Sequence, residues 1–152
     1  MSRREREVSD RKEIDSYIDQ IPICRLGLVD GEEAYIVPLN FGRIGDDLYF
    51  HSAKEGRKID LVRKQGRASF EMDLDLGTIM DHDAFRCTNQ YVCIMGTGRV
   101  VVVEDEKERL EGLEALMRHY RSSDHTFSEK CLSKTSVLRL RIESISCKRN
   151  VR

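Results

Sequence analysis

The sequence has no apolar run near the roughly 18 residues needed to span a bilayer. Its opening, MSRREREVSD, has none of the hydrophobic segment of a secretory signal. Both absences predict a cytoplasmic protein. Charge of one sign is missing too: 26 Lys and Arg face 27 Asp and Glu, a net charge of −1. No global basic field exists to draw in nucleic acid or an anionic membrane, so any site for an anion must be local. Proline is scarce, at two residues, and there is neither a low-complexity tract nor an internal repeat. The five cysteines, Cys24, Cys87, Cys93, Cys131 and Cys147, contain no C-x-x-C pair. In a reducing compartment they read as free thiols acting as small apolar fillers. His82, Cys87 and Cys93 match no zinc spacing, so no metal is expected, and no Ser/His/Asp or Cys/His set assembles from motif context.

A chain of 152 residues fits one domain, 1–152, with a single core burying roughly 68–70% of the unfolded surface. Asp10 with Glu13 resembles a capping box, and Ile14, Tyr17, Ile18 and Ile21 follow at helical spacing, so a first helix runs to Pro22. Strands are predicted over 23–30 and 34–42, the second an edge or bulged strand because it contains Pro38. A third ends in DLYFHS, and RASFEMDLD (67–75) alternates as a fourth. Residues 76–88 read as a long loop. The run 90–105 is too long for one flat strand, and Gly96 and Gly98 predict a bend within it. A second helix in EGRKIDLVRKQ ended near Gly66, a third over 106–120 with Leu110, Leu113, Leu116, Met117 and Tyr120 at helical spacing, and a last strand over 135–146 complete six strands and three helices. Consecutive hairpins without a βαβ alternation favour a small antiparallel barrel.

The stretch LYFHSAKEGRKIDLVRK (48–64) raises the functional question. Its cations Lys54, Arg57, Lys58, Arg63 and Lys64 surround a strand end and a helix start. Unpaired N–H groups at a helix N-terminus suit a phosphate, Ser52 offers a hydroxyl, and Gly56 lets the backbone come close. Arg57 and Lys58 would add charge-assisted bonds. The string matches no Walker or Rossmann pattern, however, and local chemistry by itself favours a solvated charged face. His51 ends the strand just before the helix and is a structural histidine or a proton-exchanging group at a pocket mouth.

Taken together, REREVSD, CRLGLVD, YIVPLNFGRIGDDLYFHSAKEGRKIDLVRK, GTGRVVVVED, LMRHY and the closing CKR resemble the nitroimidazole resistance protein family. That family belongs to the FMN-binding split-barrel group related to pyridoxamine 5′-phosphate oxidase. The resemblance runs in order over nearly the whole chain. It implies a mainly β, six-stranded antiparallel split barrel with about three peripheral helices, a homodimer, and FMN in two clefts at the subunit interface. By position, Pro38, Leu39 and Asn40 would line the isoalloxazine edge. His51, Ser52 and Ala53 would follow the ribityl chain and phosphate, with Gly56, Arg57 and Lys58 completing the phosphate site. His51 matches the histidine proposed to act near the flavin's reactive face. Tyr91 and Cys93 belong to a strand expected to reach the flavin of the other subunit. Relatives carry an Arg-Ser pair after that tyrosine where this chain has Val92 and Cys93. The C-terminus also lacks the Arg-x-His substrate segment of true pyridoxamine phosphate oxidases, which argues against vitamin B6 oxidation. The implied activity is an FMN-dependent oxidoreductase passing electrons to a small acceptor such as a nitroaromatic. The alternative is a flavin- or haem-binding module without turnover.

Overall fold

A computed structural model describes residues 4–151 and places eight strands in one antiparallel sheet. They are β1 (Glu7–Val8), β2 (Cys24–Asp30), β3 (Glu33–Leu39), β4 (Gly42–Ile44), β5 (Asp47–Ala53), β6 (Arg67–Ile79), β7 (Thr88–Val102) and β8 (Thr135–Asn150). The helices are α1 (Arg11–Ile18), α2 (Arg57–Gln65), α3 (Glu106–His119) and the single-turn α4 (Glu129–Leu132). The sheet order is β3-β2-β6-β7-β8-β5-β4, with β1 paired to β8. Six of these strands are the expected barrel. The other two are β1 and β4, the latter created because the chain turns at Asn40–Phe41 instead of continuing to Gly42.

Alternation decides which side chains fill the barrel. Leu26 and Leu28 of β2, Leu48 and Phe50 of β5, Phe70 and Met72 of β6, and Leu138 and Leu140 of β8 all face inward and are at most 3% exposed. A second, smaller cluster forms outside the sheet, where Leu113 and Leu116 of α3 cover Tyr49 and Val137. Gly42 permits that contact: a Cβ there would lie 2.3 Å from the backbone of Ala115 and Leu116. The bend predicted in β7 is present, as a register shift against β8 between Thr97 and Gly98. Residues 76–88 are not one loop. β6 and β7 stay paired out to Ile79 and Thr88, so a hairpin arm carries a short tip around a 3-10 turn at Ala84–Arg86. Long cross-strand pairing overrides the weak local pattern there.

The end strands β3 and β4 are consecutive in sequence, and no ladder joins β3 to β5. Helix α2 follows β5 and packs on β2 and β7. Arg57 at its first position donates to Asp30 at 2.7 Å and lies 4.6 Å over the Tyr35 ring. Gln65 at its last position exchanges bonds with the backbone of Val29. Both ends of α2 are thereby tied to the β2–β3 hairpin.

Candidate functional site

Three helices start on a side-chain cap: Asp10 accepts from the Lys12 N–H, Asp105 from Glu108 and Ser128 from Cys131. Helix α2 does not. Its N-cap is Gly56, at φ 120° and ψ 172°, with no side-chain bond to the first turn. A Cβ at Gly56 would meet nothing within 4 Å, so glycine is needed for its backbone conformation and not for space. The first-turn N–H groups of α2 are left open, with the partial positive charge they carry. Glu13, expected to close a capping box on α1, instead accepts from the Tyr17 hydroxyl at 2.9 Å and pairs with Arg149.

The two cations at the start of α2 differ. Arg57 is exposed and already neutralised, by Asp30 at 2.7 Å and Glu33 at 3.7 Å. Lys58 is half-buried, and burial lowers its pKa below the ordinary lysine value. It has no ion-pair or hydrogen-bond partner among the described residues. A partly desolvated ammonium without a counter-ion is an unfavourable arrangement that an anion would relieve. Arg63 and Lys64, at the other end of α2, are exposed to solvent.

Strand geometry divides the residues carried over from the family. Ser52 and Leu39 point inward, Ser52 being 7% exposed and Leu39 packed on the core. His51 and Ala53 are exposed on the opposite face of β5, and Pro38 and Asn40 are exposed beyond the opposite face of β3. Pro38 lies on the edge strand, where its missing N–H costs no ladder bond, and pairs in register with Arg25. Arg25 is opposite Glu71 and Glu71 is opposite Met95, so a row crosses from β3 to β7. Three strand spacings, roughly 14 Å, separate the ends of that row. Tyr91 and Cys93 are half-buried and alternate with buried Val92. The Tyr91 hydroxyl lies 3.3 Å from Arg6, and burial with Glu71 and Asp73 nearby pushes the Cys93 thiol up. Val92 is 1% exposed within the core. An arginine at that position of this backbone would be buried among apolar side chains, so its absence here is a packing choice.

A cavity of about 620 Å³ is a groove in the outer face of the sheet floored by Gly27 and Gly96 and flanked by Ile36, Met95 and Arg25. Ile36 is 64% exposed and Met95 48%. No residue proposed from the sequence lines the groove, although Pro38 and Arg25 are register partners at its edge. It draws on five strands, and its residues have no sequence signature of their own.

Sequence reasoning also missed the role of Tyr120, which follows the last residue of α3. Its hydroxyl lies 2.5 Å from the Pro22 carbonyl oxygen, 3.0 Å from the Asn40 side-chain nitrogen and 3.2 Å from the Phe41 backbone nitrogen. Beside it, the His119 ring packs tilted against Phe41 at 4.2 Å between centroids and lies 2.7 Å from the Ile21 carbonyl oxygen. Among the described residues, no three His, Cys, Asp or Glu side chains form a group that could hold a metal ion. No described helix is long and apolar enough to cross a membrane.

An antiparallel sheet left open between its end strands β3 and β4, with a basic helix following β5, defines a split-barrel protein. The chain belongs to the pyridoxamine 5′-phosphate oxidase family, whose model matches residues 10–149. Among solved structures it is similar to a candidate 5-nitroimidazole antibiotic resistance protein from Bacteroides thetaiotaomicron. That pair is 28% identical with a TM-score of 0.84, covering 94% of this chain and 86% of the other. It is also similar in fold to the flavocytochrome Anf3 from Azotobacter vinelandii, at 21% identity and a TM-score of 0.87, over 100% of this chain and 73% of that one. A third is an FAD and heme binding protein from Mycobacterium smegmatis, at 22% identity and a TM-score of 0.86, over 97% and 74% of the two chains. No curated protein gives a sequence match.

Proposed function

We propose that this protein is a cytoplasmic FMN-dependent oxidoreductase, acting as a homodimer and passing electrons from a reduced donor to a small acceptor of the nitroaromatic class. The observation that carries the proposal is the start of α2, where an uncapped helix places open N–H groups beside the half-buried Lys58, which has no partner among the described residues. That arrangement fits a phosphate dianion. Lys58 and the first-turn N–H groups would hold it, while Arg57, held by Asp30 and Glu33, acts as a distant charge unless it turns away from them. When bound, the flavin supplies the redox chemistry. The chain supplies orientation through Pro38 and Asn40, and an exposed imidazole at His51 able to carry a proton between solvent and the site. The apolar groove around Ile36 and Met95 supports self-association, since a second copy seated there would cover surface that a monomer leaves wet.

The direct test is the spectrum and mass of the ligand that copurifies, followed by titration of FMN and riboflavin. A yellow protein binding FMN more tightly than riboflavin is expected. A colourless protein with no flavin affinity would sink the proposal. The flavocytochrome and the FAD and heme binding protein among the structural relatives support a second reading, a flavin- or haem-binding module without turnover. A Soret band, or bound flavin that no donor reduces, would favour it.

A further inference from the structure

Proton accounting around Tyr120 settles the orientation of an exposed amide that would otherwise be ambiguous. A tyrosine hydroxyl has one proton to donate and lone pairs to accept with. The Pro22 carbonyl oxygen, at 2.5 Å, can only accept, so the proton goes there. The Phe41 N–H, at 3.2 Å, can only donate, so it takes a lone pair. The remaining neighbour, 3.0 Å away, is the Asn40 amide. An Asn40 oxygen in that place would face a hydroxyl with no proton left, so the group directed at Tyr120 is the Nδ2 amine. The amide's Oδ1 therefore points away from Tyr120, and it has no partner among the described residues. An exposed asparagine ordinarily samples several rotamers, with the attendant entropy. Here the corner is held from two consecutive residues of one helix end, because His119 grips Phe41 and the Ile21 carbonyl next door.

We infer that Tyr120 is a positioning residue. It presents the Asn40 Oδ1 as a fixed acceptor, making the site selective for ligands whose ring edge carries an imide N–H flanked by carbonyls. The inference rests on the flavin reading above, which puts Asn40 beside the ring. It adds the group on the ring that is recognised and the residue that enforces it. The pyrimidine edges of flavins and deazaflavins share this N–H, so the chemistry recognised is common to both.

The test compares the Kd of FMN with that of N3-methyl-FMN, which lacks the N–H, by fluorescence titration. The proteins are the full chain, Tyr120→Phe, Asn40→Ala and the double variant. The unaltered protein should prefer FMN by about tenfold, the worth of one well-placed hydrogen bond. Either single substitution should reduce the preference to about twofold or less, and the double variant should lose no more than one single variant does. A general loosening from Tyr120→Phe would weaken both ligands in proportion and leave the ratio near ten, which would overturn the inference. Asn40→Ala, at an exposed position, checks the same point independently of folding: a ratio still near ten rules out the amide as the reader. FMN binding with no preference in the unaltered protein overturns this inference and leaves the flavin reading intact. Binding of neither ligand overturns both.

Discussion

At the end of α3 the Tyr120 hydroxyl is bonded three times and His119 is packed against Phe41 and bonded, so polar groups there are spent on holding a corner. At the start of α2 the reverse holds: no side-chain cap, a glycine in place of a bonding side chain, and a half-buried lysine with no counter-ion among the described residues. The first arrangement stabilises the protein by itself and fixes geometry. The second is incomplete by itself, and completing it is where an anion would gain affinity. In the proposed site, the saturated region would supply orientation and the unsaturated one attraction.

The largest effect should come from undoing the platform on which α3 sits. Gly42→Val forces a side chain into the backbone of Ala115 and Leu116, 2.3 Å from its Cβ. A loss of about 3 kcal/mol, a drop of roughly 6–12 °C in Tm, is expected by calorimetry, and the corner held by Tyr120 should loosen with it. An unchanged Tm would mean that α3 is not seated as described.

Next in size is the unsaturated end. Lys58→Ala should weaken FMN by about 2 kcal/mol, the worth of a charged hydrogen bond, and leave riboflavin unchanged. Equal loss for both ligands would place Lys58 in packing and not in phosphate recognition. The same lysine sets a pH limit. Burial lowers its pKa, so its charge is present at low pH and lost as pH rises through a value below the ordinary lysine range. The phosphate becomes a dianion above about pH 6. FMN affinity should therefore rise through pH 6 and fall again on the alkaline side before an ordinary lysine would titrate. Riboflavin affinity should show neither limb. An alkaline limb that survives in Lys58→Ala would assign it to another group.

Smaller still is Arg57→Ala. Its charge is shared with Asp30 and Glu33 at an exposed site, so a change below about 1 kcal/mol in FMN affinity is expected. An effect as large as that of Lys58→Ala would show that Arg57 leaves its carboxylates for the ligand. Arg63→Ala with Lys64→Ala, on the exposed last turn, should alter FMN affinity by no measurable amount. A loss there would extend the anion site along the whole helix.

Much of the frame was legible beforehand because it is local. Gly66 ends α2 in the left-handed conformation at φ 65°, as a C-terminal glycine should. Leu110, Leu113 and Leu116 announced α3, and Pro38 announced an edge strand. The family resemblance extended this to the split barrel and to the cluster at 51–58. Less legible was what each residue of that cluster does. Arg57 and Lys58 are adjacent and alike in sequence, yet one is neutralised by acids 27 and 24 positions upstream and the other is left bare. Ser52 and His51 are neighbours whose side chains leave β5 on opposite faces.

By itself, then, the sequence determined the periodicities, the caps and stops, the balanced charge, and the membership of 140 consecutive positions, 10–149, in one family. These depend on neighbours within a few residues or on pattern along the chain. Only the tertiary structure decided that Tyr120 clamps Asn40 from 80 positions away, that five strands build a groove around Ile36 and Met95, and that Lys58 lacks a counter-ion among the described residues. Each of these is a statement about who is near whom after the sheet has curled, and such nearness has no trace in any short stretch of the chain.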